Sequence, residues 1–584
     1  MYDRWNLDCV YAGFDDEAYK SDVEALKTKL DKLKALLKAD CAEAQLVAEL
    51  LAIKGEISEL ADKLLTYISL RQATATDDGE VMAQNALIMR IYSAGAADMA
   101  AAYKRLGTIK NTDELKAQSP LIAEYEFYLK KAAENAKHLL SDEAEEIAAA
   151  MDSTGGSAWG SFHTFLTSTL KLNLNGKEIT LNEARNLAYS ADAGVRKSAY
   201  EAEINAYKSI QDGAAFALNN IKNQVTDLAL KRGYESVLQK TLSDSRMQRK
   251  TLDAMLEAIR GYLPEFWRYF RAKARLLGYE GGLPWYEIFA PIGKTAKTYT
   301  PQAAREELVS CFNALSPQMS GMIERAFDES WIDFYPRSGK EGGAFCAFLT
   351  SVKQSRVLTN FDGTFGSVDT LAHELGHAFH NLMTENEKPL NRDYTMPIAE
   401  TASTFNELYL GEYMLSRAEP EEKAALLDMS LREIAQCVVD IYSRYLFETG
   451  VFEKSRSRFL MADELNSLML ESQKQAYGNG LDLSVLNPGM WICKSHYYSS
   501  GISFYNFPYA FGSLFAQGLY ALFKEEGDAF MPKYCRMLKL TGVSTIEQSG
   551  AQMGIDLSGG GFWKKSLENV KAQIDEFVKI ADGE

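Results

Sequence analysis

The sequence predicts a mainly α-helical protein with one small β-sheet, and two patterns support this fold class. Apolar residues recur at spacings of three and four along much of the chain, as they do on the buried face of a helix. Two short, apolar, β-prone segments lie close together at 343–350 and 355–361, and a helix pattern follows them. We expect this small sheet to lie beside the functional centre.

The N-terminal part predicts a long antiparallel helical hairpin. A second apolar-periodic stretch over 42–70 follows the first one, so the two helices can pack along their apolar faces. The apolar positions of the first stretch are Val23, Leu26, Leu30, Leu33 and Leu37. This pattern indicates core packing and no chemistry.

Turn-forming residues mark the connections that follow. Segments 73–80 and 152–157 are rich in Gly, Ser, Thr and Asp, which predicts loops. Segment 171–181 predicts a β-hairpin that turns at Asn175-Gly176, the dipeptide that tight hairpin turns favour. Helical patterns then continue to about residue 277.

The composition of the chain argues against several classes of function. The net charge is −17, which argues against nucleic acid and against an anionic membrane surface as the main partner. We find neither a signal peptide nor an apolar run of about 18 residues, so no membrane span is expected. The seven cysteines are scattered and form no CxxC pair, which favours a reducing cytoplasm over a disulfide framework.

One motif combines metal-ligand chemistry with helical spacing. Residues 368–383 form a helix pattern that contains His373-Glu374-Leu375-Gly376-His377. Residues four apart lie one turn apart on one helix face, so both imidazoles can reach one ion. Glu374 then stands beside the metal, where a carboxylate can take a proton from water. Gly376 costs about 1 kcal/mol of helix stability relative to Ala, which indicates close backbone packing at that point.

A third protein ligand is expected, because catalytic zinc usually has three protein ligands and a water. An arrangement with a downstream histidine ligand needs Gly at position 380 and His at 383, but the chain has His380 and Met383. The remaining common solution is a carboxylate from a second helix. The segment 396–410 predicts such a helix and offers both Glu400 and Glu407 on roughly one face.

Longer stretches of sequence resemble a known family. HELGHAFH (373–380) followed by IAETASTFNE (398–407) looks like the oligoendopeptidase F branch of the thimet oligopeptidase family. The opening WNLDCVYAGFDDEAY, the segment ITLNEARNLAYSADAGVRKSAYEAE (179–203) and the segment WIDFYPRSGKEGGAFCAF (331–348) are similar to that branch as well. The resemblance therefore extends over most of the chain.

The resemblance implies a large helical two-lobed metalloendopeptidase that cuts short, unstructured peptides in a deep channel. It implies one zinc ion per chain, with His373, His377 and Glu400 as ligands and Glu374 as general base. Glu407 is then the carboxylate that orients a ligand, and its use as third ligand is the rival assignment. The implied division is an N-terminal helical hairpin region (1–110), a middle helical lobe with a β-hairpin (111–200) and a catalytic zinc peptidase domain (201–584).

The same resemblance assigns residues that face the scissile carbonyl. In SHYYSSGISFYNFPYAFGS (495–513), His496 aligns with a family histidine and Tyr509 with a tyrosine. Ile502 stands where the thimet branch has a second tyrosine, so Tyr505 or Tyr498 must take that place. Hydrogen-bond donors there stabilise the developing oxyanion. The alternative is an aromatic-rich core turn.

Residues 342–350 are similar to the family's edge strand near the zinc. An extended peptide can pair with such a strand through main-chain hydrogen bonds, which orients it with little sequence preference. This assigns Gly343, Ala344, Phe345 and Cys346 to substrate binding. The alternative is a purely structural sheet.

The other candidate side chains are expected to be structural. We expect His138 and His163 in structural roles. We expect His380 at the surface, with support of a metal ligand as the alternative. Asp369 is expected to be an ordinary acid near a helix start, and the alternative is that it supports the imidazole of His373. Two alternative functions remain open: a metallocarboxypeptidase of the same fold, and a catalytically silent peptide-binding protein. Short peptides are the expected partners in each case.

Overall fold

The computed structural model describes residues 3–293 and 297–583, and helices dominate this part of the chain. The prediction of a mainly α protein is therefore confirmed. The helices that precede the three-stranded sheet are α1 (Glu17–Leu36), α2 (Glu43–Thr74), α3 (Gly79–Ala94), α4 (Ala96–Gly107), α5 (Thr112–Gln118), α6 (Pro120–Glu124), α7 (Glu126–Ala136), α8 (Asp142–Thr154), α9 (Gly156–Thr169), α10 (Leu181–Asn186), α11 (Ala193–Tyr207), α12 (Gln211–Lys231), α13 (Val237–Asp244), α14 (Arg249–Leu276), α15 (Pro301–Asn313) and α16 (Pro317–Asp328).

The helices after that sheet contain the candidate site. They are α17 (Phe365–Thr384), α18 (Met396–Ala399), α19 (Thr401–Leu415), α20 (Pro420–Ala435), α21 (Ile441–Ser455), α22 (Ala462–Tyr477), α23 (Phe507–Glu526), α24 (Phe530–Leu540), α25 (Ile546–Gln552) and α26 (Gly560–Asp582). None of the helices in the described ranges is both long enough and apolar enough to span a membrane.

The N-terminal helices α1 and α2 pack against each other as the predicted hairpin. Leu26, Leu30 and Leu33 are buried at the expected helical spacing. This hairpin belongs to an apolar core built mainly from residues 5–129, while a second core extends from Leu170 to Phe577. Two sheet residues, Leu349 and Leu358, pack into the N-terminal core.

The predicted β-hairpin is present. Strands β1 (Lys171–Leu174) and β2 (Lys177–Thr180) pair antiparallel, and Leu174 faces Lys177 across the turn. The turn residues Asn175 and Gly176 have φ values of 52° and 86°, the left-handed region that Asn and Gly tolerate best. The loop predicted at 152–157 is wrong, because α8 extends to Thr154 and α9 begins at Gly156.

The three-stranded sheet lies beside helix α17, as predicted. Strands β3 (Ile332–Asp333), β4 (Phe345–Leu349) and β5 (Gln354–Leu358) have the order β3-β5-β4, so β4 forms one edge. Strand β4 pairs antiparallel with β5, and both strands contact α17. Helix α2 contacts β4 as well, so the sheet lies between the N-terminal hairpin and α17.

The helix predicted over 396–410 is interrupted. Helix α18 ends at Ala399 and α19 begins at Thr401, so Glu400 lies between them with φ −85° and ψ 2°. Pro397 occupies the first turn of α18, as predicted, where a missing N–H costs nothing. The break allows Glu400 to leave the direction of the α19 axis and to approach α17.

Helices α17 and α19 approach closely at Gly376. A Cβ atom at this position would lie 2.6 Å from the carbonyl oxygen of Ala402 and 2.6 Å from Cα of Ser403. The side-chain amide of Asn406 donates a hydrogen bond of 3.1 Å to the carbonyl of Ala372 across the same contact. The close packing predicted from a glycine inside a helix is therefore confirmed.

Candidate metal centre

Two histidines of α17 and Glu400 form a compact group. Nε2 of His373 lies 3.3 Å from Oε2 of Glu400, and Nε2 of His377 lies 3.5 Å from the same oxygen. The three potential ligand atoms all lie within 4.8 Å of one another. Four ligands arranged tetrahedrally at about 2.0–2.2 Å from zinc are roughly 3.3–3.6 Å apart. The observed distances therefore fit a single zinc-sized ion.

Glu407 fixes the orientation of one of these histidines. Nδ1 of His373 donates to Oε1 of Glu407 at 2.8 Å, which fixes the ring so that Nε2 faces Glu400. The oxygen of Glu400 that faces the histidines also accepts a hydrogen bond of 3.0 Å from the hydroxyl of Ser403. Of the two carboxylates that the sequence offered as third ligand, Glu400 thus groups with both histidines, and Glu407 lies on the far side of His373.

The group attracts positive charge strongly. Burial lowers the pKa of His373, but hydrogen bonds to Glu400 and Glu407 outweigh this effect and raise it to about 11. Burial would raise the pKa of Glu400, but its hydrogen bonds to the two histidines lower it below its usual range. The same surroundings would stabilise a divalent cation in place of the proton.

Glu374 is buried next to the metal group. It lines a cavity of about 510 Å³ together with His373, His377 and Glu400. Burial raises the pKa of its carboxyl, while the two histidines oppose that shift. A carboxylate with a raised pKa and access to the cavity is suited to accept a proton from water.

Strand β4 forms another wall of this cavity. Ala344, Phe345 and Cys346 line it, and the strand is paired on one side only. Gly343 precedes them with φ 82°, and its carbonyl accepts a hydrogen bond of 2.8 Å from the side chain of Asn360. The sheet edge and the metal group therefore share one space, although Gly343 itself does not line it.

The segment before α23 and the first turn of that helix bring three predicted aromatic residues together. The rings of His496 and Tyr505 are 6.3 Å apart, and Tyr505 meets Tyr509 edge to face at 5.5 Å. Tyr509 in turn lines a cavity that also contains His373 and Glu400. Burial, together with the nearby Arg444 and Lys494, lowers the pKa of His496 to about 3, so its ring is neutral near pH 7.

The other tyrosine considered for this role lies in the core. Tyr498 is buried and stacks on His163 with ring centroids 3.5 Å apart. Nε2 of His163 contacts the carbonyl oxygen of Ile492 at 2.7 Å, which confirms a structural role for this histidine. His138 contacts the carbonyl oxygen of Arg232 in a similar way.

The surface position predicted for His380 is wrong. Its side chain is fully buried, because the C-terminal part of α17 packs against α24 and the residues that follow it. Nε2 of His380 contacts the hydroxyl of Thr541 at 2.8 Å, and its ring stacks on Tyr394, which lines the metal cavity.

Sequence reasoning missed a second cavity beside the metal group. This acidic cavity has a volume of about 400 Å³ and is lined by Asp369, Glu407, Glu433 and Gln517, among others. Asp369 had a detectable signal, because it lies four residues before His373 on the same helix. Glu433 and Gln517 come from α20 and α23, and no local pattern connects them with α17.

Comparison with known proteins identifies the family of this chain. The family model described as peptidase family M3 matches residues 186–558, nearly two thirds of the chain, and the model described as oligopeptidase F matches residues 108–171. The chain belongs to peptidase family M3. It is therefore a metalloendopeptidase, and the family that the sequence resembles is confirmed.

Individual M3 relatives are distant but cover nearly the whole chain. The group B oligopeptidase PepB of Streptococcus agalactiae is 25% identical over 524 residues, which is 87% of this chain and 85% of the relative. A crystal structure of a candidate peptidase from Chlamydophila abortus has a TM-score of 0.86 at 22% identity and covers 99% of this chain and 98% of its own. Oligoendopeptidase-F from Enterococcus faecium has a TM-score of 0.73 at 18% identity, with 97% and 99% covered.

Proposed function

We propose that this M3 peptidase is a zinc-dependent endopeptidase that hydrolyses short, unstructured oligopeptides in an enclosed channel. The observation that supports it is the metal group, where Nε2 of His373 and Nε2 of His377 lie 3.3 and 3.5 Å from one oxygen of Glu400. Two imidazoles and one carboxylate, with a fourth position left for water, is a donor set of catalytic zinc. A cytoplasmic location, predicted from the sequence, belongs to this proposal.

His373, His377 and Glu400 would hold the ion, and Glu407 would keep the ring of His373 in the required orientation. A zinc ion bound there would polarise the scissile carbonyl and lower the pKa of water from 15.7 to about 7. We assign Glu400 as the ligand and Glu407 as the residue that orients His373, because Glu407 accepts a hydrogen bond of 2.8 Å from Nδ1 of His373.

Glu374 acts as the general base. Its carboxylate takes a proton from the attacking water and later transfers a proton to the amine that leaves. Its burial next to the two histidines supports this role, because the carboxyl then has a raised pKa and access to the reacting water.

His496, Tyr505 and Tyr509 bind the substrate carbonyl as negative charge develops on it. Tyr509 lines a cavity with His373 and Glu400, and Tyr505 connects it with His496. The neutral imidazole of His496 and the phenol of Tyr509 can each donate a hydrogen bond to the oxyanion. Nε2 of His496 is buried and has no hydrogen-bond partner in the described chain, so its hydrogen-bonding capacity is not used by the protein itself.

The free edge of β4 orients the peptide. Residues 344–346 line the cavity that contains the metal group, and an extended peptide can add to this edge by main-chain hydrogen bonds. The edge lies between α2 and α17, and this confined position supports short, unstructured substrates.

Digestion of a mixed library of short peptides, followed by mass spectrometry, tests the proposal. Internal cuts that stop with a chelator and return with zinc are the expected result. The variant Glu374→Gln should keep zinc but lose nearly all turnover, whereas Glu385→Gln at the end of the same helix should keep turnover. Single losses from the peptide C-terminus would instead identify a carboxypeptidase. Bound zinc without any cleavage would identify a binding protein.

A further inference from the structure

We propose that the acidic cavity binds a basic side chain of the substrate, Lys or Arg, next to the bond that is cut. This inference rests on the endopeptidase function proposed above and adds a specificity to it. It follows from the position of the cavity, its apolar walls, its unpaired carboxylates and one buried amide.

The position of the acidic cavity gives it access to the reacting bond. His373, Glu400 and Tyr509 line it, and the same residues belong to the candidate metal centre. Its volume of about 400 Å³ is enough for one long side chain and falls in the range of ligand pockets. A substrate residue that flanks the scissile bond can therefore place its side chain in this cavity.

The walls of the acidic cavity suit an aliphatic stem. Helices α19 and α20 present apolar side chains to it, and Phe365 of α17 adds an aromatic one. The aliphatic residues are Leu408, Leu415, Leu426, Met429 and Ile434. Long basic side chains bury their methylene groups on apolar surface and keep the charged end in polar surroundings.

Unpaired carboxylates provide those polar surroundings. Asp369, Glu407 and Glu433 each place an oxygen within 4.8 Å of the others. Glu407 binds His373, but the carboxylates of Asp369 and Glu433 have no hydrogen bond or ion pair with any residue in the described ranges. No Lys or Arg of the described chain lines the cavity. A cation that enters it would relieve the repulsion between these groups.

Gln517 gives an independent indication of a ligand. It lines the acidic cavity, its side chain is fully buried, and its Nε2 has no hydrogen-bond partner in the described chain. Its Oε1 accepts a hydrogen bond of 2.6 Å from Asn569. The two amides can turn over together, so Gln517 can offer either a donor or an acceptor to a bound molecule. A buried polar atom without a partner is costly, and a polar ligand removes that cost.

A substrate side chain fits the acidic cavity better than a second metal ion. Calcium takes six to eight oxygen ligands, and magnesium requires near-octahedral geometry with several waters. The cavity offers three clustered carboxylates, one of which already binds His373, and the rest of its wall is largely apolar. This composition matches an ammonium or guanidinium group on a methylene chain.

Matched peptides measure the specificity directly. In two series, the residue just before or just after the cut bond is either lysine or norleucine, which has the same stem without the charge. For the zinc-loaded wild type, we expect kcat/KM in one series to be about tenfold to a hundredfold higher for lysine. Glu433→Gln should reduce this ratio several-fold, and Asp369→Asn/Glu433→Gln should bring it close to one. Glu422→Gln on the same helix lies outside the cavity and should keep the wild-type ratio.

The outcomes separate this inference from the proposed function. If the wild type cuts the lysine and norleucine peptides equally in both series, the specificity inference is wrong and the endopeptidase proposal stands. If it cuts neither peptide in either series, the endopeptidase proposal fails. A second metal equivalent that is present in the wild type and absent from Glu433→Gln would assign the cluster to a cation, and would overturn the inference as well.

Discussion

The ammonium group of Lys222 lies 2.7 Å from the carboxylate of Glu448, and both side chains are fully buried. The same carboxylate accepts hydrogen bonds from the backbone N–H of Phe504, at 3.1 Å, and from the side chain of Asn506, at 2.8 Å. Phe504 has φ 52°, a conformation that non-glycine residues seldom adopt. The pair therefore connects α12 and α21 with the segment that leads into α23.

Loss of this carboxylate should affect both stability and catalysis. Tyr505 lies between the two anchored residues, and Tyr509 follows in the first turn of α23, so both tyrosines depend on this anchor. Glu448→Ala leaves Lys222 buried without its partner and should lower the free energy of unfolding by about 3–5 kcal/mol. Urea unfolding measures this loss, and kcat on a cleaved peptide should fall as well. The exposed Glu453 of the same helix is the control, because Glu453→Ala should change stability by less than about 0.5 kcal/mol.

The local fold near the metal group was predictable where short-range rules apply. The spacing of His373 and His377, the proline in the first turn of α18 and the Asn-Gly hairpin turn all depend on neighbours in sequence. The break at Glu400 was missed because helix propensity continues through it. The break lies at a contact with a residue distant in sequence, since a Cβ atom added at Gly512 of α23 would lie 3.2 Å from Cβ of Glu400. No local pattern shows such a contact.

The contact at Gly376 should be intolerant of a single methyl group. Gly376→Ala places a Cβ atom 2.6 Å from the backbone of Ala402 and Ser403, so α17 and α19 must separate. We expect a loss of about 1–3 kcal/mol in the free energy of unfolding, and weaker zinc binding because Glu400 precedes α19. Gly261→Ala is the control, since a Cβ atom there meets nothing within 4 Å.

The Gly261→Ala control should raise the free energy of unfolding by about 0.5–1 kcal/mol, because alanine forms helices better than glycine does. Equal effects of the two substitutions on unfolding and on zinc affinity, measured by competition with a chelator, would contradict the packing argument.

Long-range relationships explain what the sequence did not predict at the candidate site. Glu433 and Gln517 meet Asp369 in one cavity only because α20 and α23 pack beside α17 and α19. No spacing rule connects such distant positions. By contrast, the resemblance to a family motif identified His496 and Tyr509 from the sequence. In the structure, the ring of Tyr505 lies near both of their rings. The roles of these residues stay predictions.

Two tyrosine hydroxyls provide a matched test of oxyanion binding. Tyr509→Phe removes a donor near the metal group and should lower kcat by about 10²–10³ with little change in KM. Tyr498→Phe removes a buried hydroxyl that has no partner among the described residues. It should therefore keep kcat and leave stability unchanged or slightly higher. A larger loss of kcat in Tyr498→Phe than in Tyr509→Phe would reverse the two assignments.

The buried His380 predicts how stability depends on pH. Burial, with a smaller effect of His377, lowers the pKa of His380 from its ordinary value of 6.5 to about 3. The unfolded chain therefore binds one more proton than the folded chain between these two values, and stability falls as the pH drops below about 6.5. At pH 5, His380 should therefore lower the free energy of unfolding by about 2 kcal/mol.

Urea unfolding of the chelator-treated protein between pH 7 and pH 4.5 measures this cost without any contribution from metal release. His380→Asn removes the titrating ring, so its free energy of unfolding should fall less steeply with decreasing pH than that of the wild type. The loss of packing against Tyr394 should lower its stability at pH 7, but that effect is independent of pH. Parallel curves for the two proteins would mean that His380 takes up a proton equally well in the folded and the unfolded chain.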